Sequence, residues 1–299
     1  DMYALVVEPA MIPINGSYDS YPKEALGLTK RSLDWSANGE GLAPTLCVSS
    51  PLGQEYLRDM MRRFVREYPD MKGAYFYNLD VHSWLCMPEL CERCKQVCTD
   101  SPPDSGTPWE TQAKLVTLLA EAAHKERPDF DFLVWGAVHY ADEPLKKLIH
   151  AAKGYDGLLS SWTGADRTLM VPDAAQRLTP CLLSQELCKE RQIPFYMLAE
   201  FNNLEAVPKS LPFPYHVADA LKKYGQWDVK NVMEVFGIAA EHNSINTLVT
   251  KEFEWDPEQP IEQMLDNLSQ RQFGEKAGAR MRDAWGEIKQ AFDLWNDMQ

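Results

Sequence analysis

The chain alternates two periodicities, and this alternation limits its fold more than any other feature. Short apolar runs bounded by Pro, Gly or Asp are followed by longer segments of helical period. The runs are Tyr3–Val7, Gly73–Tyr77, Asp131–Val138, Gly157–Trp162, Pro194–Ala199 and Val229–Phe236. Between them, helical periods are predicted over 51–68, 108–125, 143–152, 181–190 and 215–224. Ser50 suits the N-cap of the first helix and Pro51 its first turn. Thr45–Ser49 reads as a short apolar patch in a loop. The tail from about 260 to 296 reads as two amphipathic helices separated near Phe273-Gly274. Strand–helix alternation calls for a parallel sheet, because parallel neighbours need a crossover.

Two parallel architectures fit, a doubly wound open sheet and a (β/α)8 TIM barrel. No Gly-x-Gly-x-x-Gly follows any run and no phosphate-binding P-loop is found, so a nucleotide-binding sheet lacks its signature. The run ends carry Glu, Asp, His, Asn and Trp instead. Such residues build the catalytic face of a barrel, at the C-terminal ends of its strands. The expectation is an α/β chain with a (β/α)8 barrel over 1–258 and a C-terminal helical extension, packed on the barrel, over 259–299. Six strands are counted rather than eight. Because the chain opens at Asp1 rather than Met, the missing βα units are expected N-terminal to it.

Charge narrows the partners. The 299 residues carry a formal net charge of −14. Such a chain repels phosphate backbones and anionic lipid, so neither nucleic acid nor a membrane is an expected partner. No apolar run reaches the roughly 18 residues of a membrane span. Nine Trp are a hint of sugar stacking, although core packing accounts for some of them. Location (cytoplasmic or periplasmic) and oligomeric state are left open by the sequence.

Four carboxylates fall at strand ends or inside them: Glu8, Asp80, Glu200 and Glu234. A single acid there is usually a cap or a loop anchor. Four at successive ends of one sheet suit glycosidic cleavage, which needs one carboxyl to protonate the leaving oxygen and another as nucleophile, base or orienting group. Asp80 lies in Tyr77-Asn-Leu-Asp-Val-His-Ser-Trp84, so Asn78, His82 and Trp84 are candidate substrate contacts. Glu200 precedes Phe201-Asn202-Asn203, whose two amides suit sugar hydroxyls. Glu234 sits within an apolar strand and must face a polar interior or a partner. Glu8 is held by the following Pro9. His139 and Tyr140 close the third run, after Trp135, and Trp162 closes the fourth; these add candidate hydrogen bonds and stacking faces. The remaining His form no metal spacing with carboxylates, so no cofactor is expected for catalysis. No Gly-x-Ser-x-Gly elbow occurs, and Cys47, with no base tied to it, has no clear nucleophilic role.

Seven Cys occur, four of them as Cys86-x4-Cys91-x2-Cys94-x3-Cys98. Thiols this close suit a tetrahedral structural zinc, a disulfide pair or free thiols, and the odd total argues against a full disulfide framework. The cluster would stiffen the loop after Asp80. A zinc-dependent hydrolase is the weaker reading, because four Cys ligands would close the metal.

Glu8-Pro9, Pro44-Thr-Leu-Cys-Val-Ser-Ser-Pro51, Tyr68-Pro-Asp-Met-Lys-Gly73, Asp80, Cys91-Glu-Arg-Cys94, Glu200-Phe-Asn-Asn-Leu-Glu-Ala-Val-Pro208 and Phe213-Pro214 follow one another in a familiar order. In this order of short motifs the chain resembles bacterial barrel proteins related to family 20 glycoside hydrolases (β-N-acetylhexosaminidases) and to α-glucuronidase-like hydrolases. The resemblance implies a (β/α)8 barrel and a carbohydrate substrate bearing amino-sugar or uronic-acid residues. It implies retaining or substrate-assisted cleavage with Asp80 as acid and Glu200 or Glu234 as partner. Family 20 enzymes place Glu directly after the catalytic Asp, whereas Val81 follows Asp80 here. A barrel that binds carbohydrate without cleaving it is therefore the alternative.

Overall fold

A computed structural model of the chain describes residues 3–7, 21–31, 41–77, 86–100, 108–135, 142–161, 174–199, 201, 212–234 and 244–297. The chain divides into two compact units: Asp1–Leu159 with Ser184–Pro194, and Ser160–Leu183 with Phe195–Gln299.

In the first unit, β1 (Tyr3–Val7), β4 (Gly73–Tyr77), β5 (Asp131–Trp135) and the start of β6 (Gly157–Ser161) lie side by side in that order. The three pairings are parallel, as the alternation predicts, with Val7 opposite Tyr77, Phe76 opposite Val134 and Trp135 opposite Leu159. Phe132, Leu133, Val134 and Trp135 are all buried, odd and even positions alike. A strand covered on both faces gives such a run, and its sequence is continuously apolar for that reason.

Helix α1 (Pro51–Glu67) starts as expected: the Ser50 hydroxyl accepts from Gly53 N–H at 3.2 Å. Gly53, Leu57, Met61 and Val65 form its buried stripe. The stripe needs a glycine at its first position, since a Cβ there would fall 2.4 Å from the Cys47 carbonyl oxygen. Helix α3 (Trp109–Glu126) packs on α1 and on α4 (Asp142–Ala151), and ten of its residues are buried. Asp156 fixes the entry to β5. Its Oδ2 accepts from Phe132 N–H at 2.7 Å and lies 2.8 Å from His124 Nε2. Arg127 donates to the carbonyls of Pro69 and Met71, tying the end of α3 to the approach to β4.

An element absent from the sequence reading precedes α1. Strands β2 (Leu26–Arg31) and β3 (Gly41–Leu46) form an antiparallel ribbon with Leu28 opposite Pro44. A two-stranded ribbon offers two outer edges, which is where a residue without an N–H is tolerated.

Helix α5 (Ala174–Arg191) begins seven residues before the expected Cys181, carrying Pro180 within it. In the second unit, β7 (Phe195–Ala199) pairs parallel with β8 (Asn231–Glu234), Ala199 opposite Glu234. Helices α6 (Pro214–Gln226) and α7 (Ile245–Trp255) pack together. Buried Asn246 joins two loops, accepting from Phe213 N–H at 2.8 Å and donating to Phe201 O at 3.0 Å. The tail α8 (Ile261–Asp297) breaks at Gly274, with φ 76° and ψ 167°, at the predicted position. Beyond the break the chain folds back. Arg282 Nε meets Asp266 Oδ1 at 2.6 Å, and Trp285 packs edge-on against Phe273. Arg282 also donates to Tyr215 Oη at 2.7 Å, which ties the helical hairpin to α6. Among the described residues no helix is long and apolar enough to cross a membrane.

Candidate functional site

Four sulfurs converge in the first unit: those of Cys47, Cys86, Cys91 and Cys94, all within 4.8 Å of one another. Two chain segments supply them. Cys47 follows β3 in the turn that leads to the Ser50 cap, where its N–H donates to Ala25 O at 2.9 Å. The other three come from residues 86–94, which turn through a short 3-10 helix (Pro88–Leu90) into α2 (Glu92–Lys95). Cys91 N–H donates to Pro88 O, and Lys95 N–H to Cys91 O at 2.9 Å. These two turns fold Cys91 and Cys94 back towards Cys47.

The cluster is dry. Cys47, Cys86 and Cys94 are each 0% exposed and Cys91 is 9% exposed. All seven cysteines are free of disulfide bonds. Cys47 Sγ lies 3.8 Å from Cys91 Sγ and 3.6 Å from Cys94 Sγ, nearly twice the ~2.05 Å of a disulfide. Gly27 of β2 closes one side, where a Cβ would fall 2.1 Å from Cys86 Sγ.

Charge in the cluster is uneven. Hydrogen bonds from the thiols of Cys86 and Cys94, together with the Ser49 N–H and the nearby Arg93 guanidinium, hold the Cys47 thiol far below its usual range. The same contacts push Cys86 in the opposite direction, and burial adds to that rise. Arg93, between two of the cysteines, donates to the carbonyls of Glu24 and Leu26 and sets its positive charge against the sulfurs of Cys47 and Cys91. Ser49 Oγ lies 3.5 Å from Cys94 Sγ. Four cysteines so placed could hold a metal ion.

Two corrections to the sequence reading follow. Cys98 is not in the converging group. Its N–H donates to Cys94 O one helical turn back, and its thiol turns to Thr111 at the start of α3, where burial raises its pKa to about 12. Cys47 takes its place. Its signal was faint, since 39 residues separate it from Cys86; only the stretch of apolar and small residues leading directly into a helix cap marks Cys47 as a buried position.

The strand-end candidates divide. Trp135 closes β5 and is 5% exposed. Glu234 is the last residue of β8, opposite Ala199. Glu8, Asn78, Asp80, His82, Trp84, His139, Tyr140, Trp162, Glu200, Asn202 and Asn203 lie outside the described residues.

No protein-family model matches the sequence, and a comparison with curated proteins finds no relative. Among solved structures the chain is similar to a glucosidase from Croceicoccus marinus, with a TM-score of 0.38 and 11% identity over 66% of this chain and 40% of that one. It is also similar to TsXylA, an intracellular xylanase from Thermoanaerobacterium saccharolyticum, with a TM-score of 0.31 and 10% identity over 62% of this chain and 55% of that one. The chain therefore spans about half the length of these proteins, or less, and scores this low do not establish a shared fold.

Proposed function

We propose that the chain is the greater part of a (β/α)8 glycoside hydrolase acting on a glycan with amino-sugar or uronic-acid residues. In this reading 1–258 is the barrel and 259–299 its helical extension. Asp80 is the general acid, and Glu200 or Glu234 is the nucleophile, base or orienting group. Trp84, Trp135 and Trp162 stack on sugar rings, and Glu8, Asn78, His82, His139, Tyr140, Asn202 and Asn203 bond hydroxyls. Catalysis needs no cofactor.

The observation that carries the reading is strand register. Parallel strands in step bring their C-terminal ends to one edge, where α/β enzymes build their sites. Val7 is opposite Tyr77 and Ala199 is opposite Glu234. In sequence, Glu8 follows Val7 directly, Asn78 and Asp80 follow Tyr77 by one and three positions, and Glu200 follows Ala199 directly. Within each unit, this register supports reading these acids as residues at, or just past, the ends of paired parallel strands.

A panel of aryl glycosides assayed with the full-length protein tests this. Turnover is expected with an amino-sugar or uronic-acid glycoside. Asp80→Asn should lower it by about 10²–10⁴-fold, the usual worth of a general acid. Unchanged turnover in Asp80→Asn removes Asp80 from the role. One observation favours a second reading, a binding barrel without hydrolysis: Val81 stands where a family 20 dyad has Glu. Glycan-array binding with no turnover on the panel would select it.

A further inference from the structure

We propose that Cys47, Cys86, Cys91 and Cys94 bind one Zn²⁺ as a closed tetrathiolate site that staples the turn before α1 to the segment following β4. The proposal stands apart from the glycosidase reading and needs no catalysis.

Geometry is the first support. A zinc–thiolate bond is ~2.3 Å, so the edge of a regular ZnS4 tetrahedron, longer than the bond by √(8/3), is about 3.8 Å. The two separations from Cys47 Sγ are 3.8 and 3.6 Å, and no pair in the group exceeds 4.8 Å. Both separations therefore match the edge that one ion requires, and the remaining four stay within 4.8 Å. A cluster of several irons would hold its thiolates further apart. Soft thiolates in a tetrahedral S4 set select zinc over hard cations such as Mg²⁺ and Ca²⁺.

The surroundings are the second support. Four thiolates around Zn²⁺ leave a formal charge of −2, and a buried excess charge needs compensation. Arg93 supplies a guanidinium beside Cys47 and Cys91, held there by the carbonyls of Glu24 and Leu26. The Ser49 backbone N–H donates to Cys47, and Ser49 Oγ faces Cys94. Outer-shell donors of this kind orient zinc ligands and are worth about 10–100-fold in metal affinity. Gly27, with no side chain, leaves the room that the Cys86 sulfur occupies.

Binding releases the thiol protons as the four S–Zn bonds form, and no electron is transferred. With four protein ligands there is no open position for water, so the ion is structural. Its position also has a consequence. The ion would tie Cys86, nine positions after β4 ends at Tyr77, to the turn before α1.

The test is metal analysis of the full-length protein, purified reduced and without chelator from zinc-supplemented cells. One zinc per chain is expected. Exchange with Co²⁺ should give the near-ultraviolet charge-transfer bands of thiolate–cobalt bonds and the visible bands of a tetrahedral ion. Cys47→Ser should weaken zinc binding by more than about 100-fold, and Cys98→Ser should leave it unchanged. Because Cys47→Ser could misfold, wild-type protein supplies a second measurement. In mild denaturant, a chelator should raise the number of thiols that react with a thiol reagent by four, while Cys181 and Cys188, buried elsewhere, react alike in both states. Zinc retained in Cys47→Ser but lost in Cys98→Ser overturns the ligand set. Absence of zinc after reconstitution of the reduced protein, or iron in its place, overturns the site.

Discussion

Gly27→Ala puts the geometry of the cysteine cluster under direct strain. Gly27 sits in β2, opposite Thr45, in a backbone conformation open to any residue, so alanine brings no conformational penalty of its own. The cost is contact. The new Cβ would lie 2.1 Å from Cys86 Sγ, 3.2 Å from Cys86 Cβ and 3.5 Å from Cys47 Cβ. Non-bonded atoms of this size rest ~3.5–4.0 Å apart, so the sulfur must retreat by at least ~1.4 Å. Zinc sites tolerate about 0.2 Å in ligand distance, and the displaced sulfur leaves the coordination sphere. Two costs separate by condition. In chelator, Gly27→Ala should lose the ~1–3 kcal/mol of an overpacked core. In zinc it should lose more: a 100-fold drop in affinity forfeits ~2.7 kcal/mol of linked stability. At about 2–4 °C per kcal/mol for a unit of this size, zinc should raise the Tm of wild type by at least ~5 °C more than that of the variant. Differential scanning calorimetry with and without chelator reads this. Gly286→Ala, with nothing within 4 Å of the added Cβ, is the control and should match wild type or exceed it slightly. Equal zinc-dependent shifts in Gly27→Ala and wild type would refute the reasoning.

Two further outcomes concern the second unit. Gly274→Ala should cost about 1–3 kcal/mol by urea denaturation. The φ of 76° and ψ of 167° belong to a region only glycine enters freely, while the space around Gly274 is open, so unchanged stability would show that the turn relaxes without penalty. Burial holds the His216 pKa below its usual value, against the opposing pull of Asp293, with Lys289 and Asp219 nearby. The folded protein keeps His216 neutral where the unfolded chain already binds a proton, so stability is full above about pH 6.5 and falls as pH drops below it. Urea midpoints measured from pH 7.5 to 5.0 should show that slope, and His216→Gln should flatten it; identical profiles would remove His216 as its source.

The parallel strands were legible in the sequence because both their faces are covered. Phe132–Trp135 is buried at every position, so the run is apolar throughout and ends sharply at Gly or Asp. Gly274 was legible too, as a single glycine after Phe273 between two amphipathic stretches. The β2–β3 ribbon was not. Leu26–Arg31 and Gly41–Leu46 hold two glycines, a proline and two basic residues and present no clean alternation, so their pairing is tertiary information. Helix α7 opens Ile245-Asn-Thr-Leu-Val-Thr250, rich in β-branched residues that favour strands. The Ser244 cap and the buried Asn246, Val249 and Phe253 override that preference. For the cysteines, local spacing found three of four ligands and drew in Cys98, because α2 carries that thiol round to Thr111. No pattern in sequence joins Cys47 to residues so far away.

That separation sets a clock during synthesis. Cys47 and Cys94 are 47 residues apart. At about 5–20 residues per second, a ribosome releases Cys47 roughly 2–9 s before the last of its partners. Until Cys86 follows, 39 residues on and about 2–8 s later, the thiol is alone, with nothing to share a proton or a metal ion. A site drawn from two such distant segments can therefore close only after the last of its thiols has left the ribosome.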